Sequence, residues 1–168
     1  ASGLRLENCF CASPVCSPAL ATLLTGRIPS QHGVHDWLRQ GSLDETRLPE
    51  GLGFAGDACE IEYLQGMPAL TDFLAASGYV CGLSGKWHLG SSLRPQKSFS
   101  YWKVAPHGWS PYYGGLIVED GQVRREPRYL TDVITENALA FLDSHAGQTQ
   151  PFYLSVHYTA PHSPWDAA

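Results

Sequence analysis

Three segments of this chain carry side chains whose types and spacing could do chemistry. Cys16 opens Cys-Ser-Pro-Ala-Leu-Ala-Thr-Leu-Leu-Thr-Gly-Arg, Lys86 and His88 lie within Gly-Lys-Trp-His-Leu-Gly, and His162 follows Ala-Pro. A thiol is a potential nucleophile, an ammonium group binds an oxyanion, and an imidazole can pass a proton. These residue types together indicate a reaction at a tetrahedral oxyanion such as sulfate or phosphate.

Cys16 stands directly before a predicted helix. Ser17 suits the N-cap, Pro18 suits the first helical position, and Gly26 suits the left-handed residue that ends a helix. The Cys16 side chain would then face free backbone N–H groups at the positive end of the helix dipole, which favours an anion. Taken alone, the pattern leaves two interpretations open, an anion site and a small apolar filler.

Each of the three segments follows a predicted strand. Residues 4–11 begin with alternating apolar and polar side chains, residues 79–84 are nearly continuously apolar, and residues 152–158 are again strand-like. Ligands of α/β proteins collect where strands end, so we expect the segments to meet there. Cys9 and Cys11 would share one face of the first strand, where packing is the simplest interpretation.

Two stretches have the apolar period of a helix. Residues 68–77 place Leu70, Phe73 and Leu74 on one predicted apolar face, and residues 129–145 repeat the pattern over a longer length. Both stretches are followed closely by glycine, which favours helix termination. We therefore expect two amphipathic helices that pack against the strands.

The remaining sequence completes an α/β prediction. Asp120-Gly121 separates two strand-like runs and predicts a β-hairpin over residues 116–123. Residues 28–67 are rich in glycine, proline and single charges, which predicts an irregular surface excursion. The expected architecture is a mostly parallel sheet flanked by helices.

Composition excludes several classes of function. The 168 residues carry a net charge of −5 and contain no block of lysine or arginine, which excludes a nucleic-acid partner. No apolar stretch approaches the ~20 residues that cross a bilayer, so no membrane span is predicted. No basic-then-apolar signal segment begins the chain, and the cellular compartment stays open.

Cysteine and histidine spacing gives no metal motif. An odd number of cysteines at irregular spacing argues against a disulfide framework and against a four-ligand zinc site, the five being Cys9, Cys11, Cys16, Cys59 and Cys81. His32 and His35 have a His-x-x-His spacing, but Gly33 disfavours a helical ligand pair and no third ligand accompanies them. We expect a structural or pocket-rim role for this pair.

The three segments together resemble the formylglycine-dependent sulfatases of the alkaline-phosphatase superfamily. The resemblance is carried by Cys16–Arg27, Gly85–Gly90 and Ala160–His162, which occur in the family's order. It covers essentially the whole chain and implies that residues 1–168 are a partial sulfatase catalytic domain, truncated at both ends. A periplasmic, extracellular or lysosomal-type compartment is compatible with the resemblance, and the compartment stays unknown.

The resemblance implies a role for each catalytic candidate. Cys16 would be the precursor of formylglycine, made by a maturation enzyme. Lys86 and His88 would bind sulfate oxygens, and His162 would lie near the leaving-group oxygen, where one of the histidines acts as an acid. The substrate would be a sulfated small molecule or a glycan.

The resemblance also implies calcium in the full-length protein. In the family, an upstream aspartate pair and a downstream Asp-Asn pair with a further lysine complete the site, and no counterpart of them is expected within this chain. Only Cys16, as formylglycine, would contribute to metal binding. An isolated chain of this extent is expected to be inactive or nearly so.

Leu20 departs from the family pattern, which has arginine four residues after the cysteine. Leucine supplies neither the charge nor the forked hydrogen bonds of arginine, which in the family helps to hold formylglycine and to specify its formation. Two alternatives to a sulfatase stay open, and Leu20 bears on the second of them. One is a phosphodiesterase or phosphonate monoester hydrolase of the same superfamily, and the other is a catalytically dead homologue that binds an anionic glycan.

Overall fold

The computed structural model describes residues 3–53 and 57–165. Within these ranges the chain forms a five-stranded sheet with helices packed against it. A short 3₁₀ helix spans Glu45–Arg47. The α-helices and strands are α1 (Cys16–Thr25), α2 (Pro29–His32), α3 (Leu70–Ala76), β1 (Val80–Lys86), β2 (Tyr101–Ala105), β3 (Gly115–Glu119), β4 (Gln122–Glu126), α4 (Leu130–His145) and β5 (Phe152–His157).

The strand order is β4-β3-β2-β1-β5, with parallel pairing in one part and antiparallel pairing in the other. β1 lies between β2 and β5 and pairs in parallel with both, whereas β2–β3 and β3–β4 are antiparallel. Six of the seven β1 residues are buried, as expected for a strand with a partner on each side. The C-terminal ends of β1 and β5 consequently lie at the same edge of the sheet.

The sheet separates two apolar cores. Alternate residues of β3 enter different cores: Leu116 and Val118 join the cluster that includes Leu24 of α1, and Ile117 joins the cluster that includes Ile134 of α4. This alternation is the period of two that a strand imposes on its side chains. α1 and α4 are therefore held on opposite faces of the sheet.

Most of the predicted elements are confirmed. Strand β1 lies at the position predicted for residues 79–84, and β5 at the position predicted for 152–158. α4 occupies the predicted 129–145 helix. The hairpin is confirmed by the pairing of Glu119 with Gln122 and by left-handed φ angles of 50° at Asp120 and 74° at Gly121. The α/β class with helices against the sheet is confirmed.

The prediction of a strand over residues 4–11 is wrong. This segment has no strand pairing, and its apolar side chains face solvent, with Leu4 89% and Phe10 88% exposed. Cys9 and Cys11 are also exposed, so the expected packing face does not form. Alternation favours a strand only where a neighbouring strand offers hydrogen bonds and a core offers cover, and among the described residues neither lies beside this segment.

Two further predictions fail in detail. β2 falls in a stretch for which no strand was predicted, although Tyr101-Trp102 are residue types that favour strands. α3 forms as expected, but Leu70 and Phe73 are 44% and 63% exposed and its buried residue is Thr71, whose hydroxyl donates to the Lys97 carbonyl. The buried face of α3 follows its tertiary contacts rather than its apolar period.

The predicted excursion over residues 28–67, of which 54–56 lie outside the described residues, is irregular as expected but is not only a surface feature. Val34, Leu43 and Leu64 are buried in the core that also contains α1. None of the helices in the described ranges has the length and apolar character needed to cross a bilayer. The excursion therefore closes one side of the larger core and brings backbone groups close to the end of β1.

Candidate active site

Cys16 is the first residue of α1. The helix thus begins two residues earlier than its capping pattern predicts. The N-cap is Val15, without a side-chain cap, and Ala19 donates the first helical hydrogen bond to the Val15 carbonyl. Gly26 ends the helix in the left-handed conformation, as predicted. Ser17 is not the cap because its hydroxyl is used in tertiary hydrogen bonds instead.

Cys16 and His162 meet although they are 146 positions apart in sequence. The Sγ atom lies 3.8 Å from the His162 Nε2 atom. His162 Nδ1 is 2.6 Å from the Ser163 carbonyl oxygen, which can only accept, so Nδ1 carries a proton. In the neutral ring, Nε2 is therefore left with its lone pair directed at Cys16.

Lys86 ends β1 and lines a pocket of 320 Å³ together with Cys16. Gly85 has a φ of 107°, and a Cβ atom at this position would lie 2.0 Å from the His157 carbonyl oxygen, so the backbone turn before Lys86 requires glycine. Lys86 is 9% exposed, and its ammonium group has no carboxylate partner within the described ranges. Such a cation at a pocket wall favours an anionic occupant.

His157 supports Lys86 from the neighbouring strand. Its Nδ1 donates to the Lys86 carbonyl over 2.9 Å. Burial, together with the nearby charge of Lys86, lowers the pKa of His157, although this hydrogen bond opposes the shift. His157 also lines the pocket of Cys16.

His88 is fully buried and lies behind the start of α1. Its Nε2 donates to the Leu38 carbonyl over 2.8 Å, which fixes the proton on Nε2 and makes Nδ1 the acceptor. Ser17 Oγ lies 3.3 Å from Nδ1, donates to it, and accepts from the Leu38 N–H over 3.3 Å. Both ring nitrogens of His88 are therefore engaged within the protein.

The electrostatics of His88 follow from this burial. Burial above all, and then the charge of Lys86, lower the pKa of His88 to about 4. The backbone is left-handed at His88, with a φ of 49°, so His88 does not continue the extended conformation of β1. The ring packs edge-on against Trp37 at 5.2 Å. His88 is a neutral, fixed ring at pH 7.

Leu20 lies in the wall of the pocket that Cys16 and Lys86 line. The same wall includes Ala19 and Leu23 of α1. Leu20 also packs against the larger core as a half-buried residue. The position where the family pattern has arginine is thus an apolar surface beside Cys16.

The two histidines of the His-x-x-His pair, His32 and His35, lie in different environments. His32 is buried at the end of α2, where Nε2 lies 3.1 Å from Thr22 Oγ1 and Nδ1 accepts from the Val34 N–H over 3.1 Å. Burial lowers the pKa of His32. His35 is exposed. The pair does not converge on the pocket of Cys16.

Sequence patterns missed two residues that position the site. Tyr112 donates from its hydroxyl to the His162 carbonyl over 3.1 Å, and no motif marks this tyrosine. Gly108 lies so close to His88 that a Cβ atom would be 2.2 Å from Cε1. For Gly108, the one sequence signal is the His-Gly dipeptide at 107–108, since glycine allows the backbone to lie close to another group.

The described residues do not fit a calcium site. Across ranges 3–53 and 57–165 there is no group of three or more His, Cys, Asp or Glu side chains that could hold a metal ion. The residues that line the pocket beside Cys16 include no carboxylate. Calcium prefers several oxygen ligands, so no catalytic step is assigned to it through these residues.

Known proteins with similar sequences are sulfatases. The family model described as Sulfatase matches residues 1–168. An N-acetylglucosamine-6-O-sulfatase of Bacteroides thetaiotaomicron is 32% identical over 165 residues, covering 97% of this chain and 25% of that protein. The human N-acetylglucosamine-6-sulfatase is 26% identical and covers 99% of this chain and 30% of that protein.

A solved structure has a fold similar to that of this chain. A protein in complex with its substrate D-glucosamine-2-N,6-O-disulfate superposes with a TM-score of 0.71 at 28% identity, covering 96% of this chain and 28% of that one. The chain thus spans between a quarter and a third of the length of these three proteins. Because the family model matches residues 1–168 and a sulfatase covering 97% of this chain is 32% identical to it, the chain belongs to the sulfatase family.

Proposed function

We propose that this chain forms the nucleophile-bearing part of a sulfatase active site that hydrolyses sulfate monoesters of sugars. The observation that carries the proposal is the convergence of three side chains at the start of α1. Cys16 Sγ is 3.8 Å from His162 Nε2, and Lys86 lines the same pocket as Cys16. The 6-O-sulfated amino sugars named for the relatives support a sulfated glycan as the substrate class.

Lys86 would bind a sulfate oxygen. An ammonium group that is 9% exposed and has no carboxylate partner among the described side chains is stabilised when an anion occupies the pocket. The N-terminus of α1 adds backbone N–H groups and a positive dipole end on the same side. These groups stabilise the charge on the sulfuryl oxygens as the ester bond breaks.

We assign the acid role to His162 rather than to His88. His162 Nε2 faces Cys16, and the Ser163 carbonyl oxygen holds the Nδ1 proton, so the proton that a doubly protonated ring would give up is the one on Nε2, on the side of the pocket. As the S–O bond breaks, the leaving oxygen takes the proton from Nε2. His88, with a pKa of about 4 and both nitrogens engaged, holds the first turn of α1 in place.

Formylglycine at Cys16 would supply a hydrated aldehyde, of which one hydroxyl attacks sulfur and the other allows sulfate to be expelled. A thiolate in its place would leave a stable thiosulfate-like adduct. Cys16 fits this modification because it is only partly buried and its Sγ atom faces a proton carrier. A maturation enzyme is therefore part of the proposal.

Sulfate ester turnover by the protein expressed from the full reading frame that contains this chain tests the proposal. The host should carry a formylglycine-generating enzyme. We expect hydrolysis of a 6-O-sulfated glucosamine, and mass analysis of the Cys16 peptide should show the aldehyde. Cys16→Ala should abolish turnover, and the control Cys11→Ala, at an exposed cysteine, should leave turnover unchanged.

The same assay separates the phosphate-ester alternative, because both anions are tetrahedral and these residues discriminate poorly between them. A matched phosphodiester should be turned over more slowly than the sulfate monoester. Faster phosphodiester turnover would assign the protein to that alternative. The isolated 168-residue chain should show little or no turnover, and metal-dependent activity of this chain alone would contradict that expectation.

Leu20 favours a second candidate, a glycan-binding homologue without catalysis. Its side chain makes the wall beside Cys16 apolar where the family pattern has a guanidinium group. An unmodified thiol at Cys16 in protein from a competent host would support this candidate. Leu20→Arg should then raise the fraction of aldehyde, whereas full conversion in the unaltered chain rejects the candidate.

A further inference from the structure

The loop of residues 159–165, which carries His162, is held mainly by hydrogen bonds within itself. The His162 N–H donates to the Thr159 carbonyl over 2.9 Å, Nδ1 of His162 donates to Ser163, and Trp165 Nε1 donates to the Pro161 carbonyl over 2.9 Å. These bonds shape the loop but do not fix its position relative to Cys16.

Tyr112 supplies a hydrogen bond to this loop from a distant part of the chain. Its hydroxyl donates to the His162 carbonyl over 3.1 Å across 50 positions. Among the described residues, two side chains distant in sequence contact His162: Cys16 at the ring and Tyr112 at the backbone carbonyl. The position of the imidazole therefore depends on where Tyr112 is held.

Tyr112 is itself held firmly. Its carbonyl accepts from the Leu130 N–H over 2.8 Å, at the first residue of α4. Its ring packs edge-on against Tyr129, with 6.0 Å between the centroids. α4 packs on the sheet through Leu130 and Ile134, which are buried. A continuous path of hydrogen bond and packing joins α4 to the His162 backbone.

We propose that Tyr112 is a positioning residue that sets His162 at the leaving-group side of Cys16. This inference rests on the proposed function, in which His162 protonates the leaving oxygen. A proton donor displaced by a fraction of an ångström loses efficiency, and the loss matters most where the leaving alcohol is a poor leaving group. Tyr112 should therefore affect turnover in a manner that depends on the substrate.

Tyr112→Phe tests the proposal because it removes one oxygen atom and retains the ring. In the protein from the full reading frame, kcat for an alkyl sulfate such as a 6-O-sulfated glucosamine should fall about tenfold, and kcat for 4-nitrophenyl sulfate less than about twofold. Tyr113→Phe is the matched control: the same change at the next residue, whose side chain is 43% exposed. It should leave both rates unchanged.

The outcomes separate a positioning role from a structural one. In a His162→Ala background, Tyr112→Phe should have no further effect, since the two residues act through one proton transfer. Equal losses on both substrates, or no loss on either, would overturn the proposal.

A readout that does not depend on turnover separates this inference from the proposed function. Tyr112→Phe should shift the imidazole ¹⁵N resonances of His162 toward those of a solvent-exposed histidine, with no such shift in Tyr113→Phe. If the unaltered protein hydrolyses no sulfate ester, the proposed function fails, and the resonances still report whether Tyr112 sets the ring. Unshifted resonances would reject the positioning role.

Discussion

His88 and His162 are the same residue type in opposite environments beside one helix terminus. His88 is 0% exposed, with one nitrogen donating to Leu38 and the other accepting from Ser17. His162 is only partly buried and directs Nε2 at Cys16. The contrast shows that the chemistry of an imidazole is decided by what occupies its two nitrogens, and the two residues should respond differently to the same change.

The largest expected effect is on catalysis at His162. His162→Ala removes the proposed proton donor, and kcat for a sulfated sugar should fall about 10²- to 10⁴-fold. The melting temperature should change little, since the side chain is only partly buried and its long-range contact is to the Cys16 thiol. Steady-state kinetics and thermal unfolding measure the two quantities.

The control for His162 is His145→Ala, near the end of α4 and packed on Phe141 rather than on the pocket. Its kcat should equal that of the unaltered protein. A His162→Ala protein that retains kcat would remove the distinction between the two histidines.

The pH dependence of stability comes next and reports on His88. Its pKa is about 4 in the folded state and 6.5 when unfolded, so the unfolded chain binds more protons between these values. The contribution of His88 to the free energy of unfolding is fully present above pH 6.5. It is lost as the pH is lowered toward 4, and the loss amounts to about 3 kcal/mol. Burial lowers the pKa of His32 and His107 in the same direction.

Urea unfolding at a series of pH values between 7 and 5 measures this slope. The interval lies above the range where carboxylates such as Glu126, whose pKa is lowered to about 2 by Arg128, lose their charge. His88→Gln should reduce the slope. Stability that rises on acidification would contradict the burial of a neutral His88.

Gly108→Ala tests how tightly the His88 ring is confined. An added Cβ atom would lie 2.2 Å from Cε1, so the ring or the backbone must move, at a cost of about 1–3 kcal/mol of unfolding free energy. Gly3→Ala is the matched control, because no heavy atom lies within 4 Å of its added Cβ. Equal stability of the two variants in denaturant would mean that the His88 site is not close-packed.

Ser17→Ala should produce the smallest of these effects. The change leaves the Leu38 N–H and His88 Nδ1 without a partner in a buried site, at a cost of about 1–2 kcal/mol. Ser30→Ala, at an exposed serine in α2, should be neutral. If both variants unfold at the same urea concentration, Ser17 is dispensable to the network.

Local sequence pattern was sufficient for much of the fold, and it also supplied the catalytic candidates, whose roles stay predictions. The continuous apolar run of β1, the period of α4 and the Asp120-Gly121 turn each succeed because the structure there depends on neighbours in sequence. The strand predicted over residues 4–11 fails because pairing depends on a partner far along the chain. The predicted burial of Leu70 on the apolar face of α3 fails for the same reason.

The sequence by itself determined which side chains could do chemistry: Cys16 before a helix, Lys86 at a strand end, and two histidines in the segments that follow strands. Tertiary structure alone decided how they differ. It buried His88 and engaged both of its nitrogens, brought His162 Nε2 to 3.8 Å from Cys16 Sγ, and placed the Tyr112 hydroxyl within hydrogen-bond distance of the His162 carbonyl. The physical reason is that burial and hydrogen-bond partners come from residues distant in the chain, and these set protonation and reach.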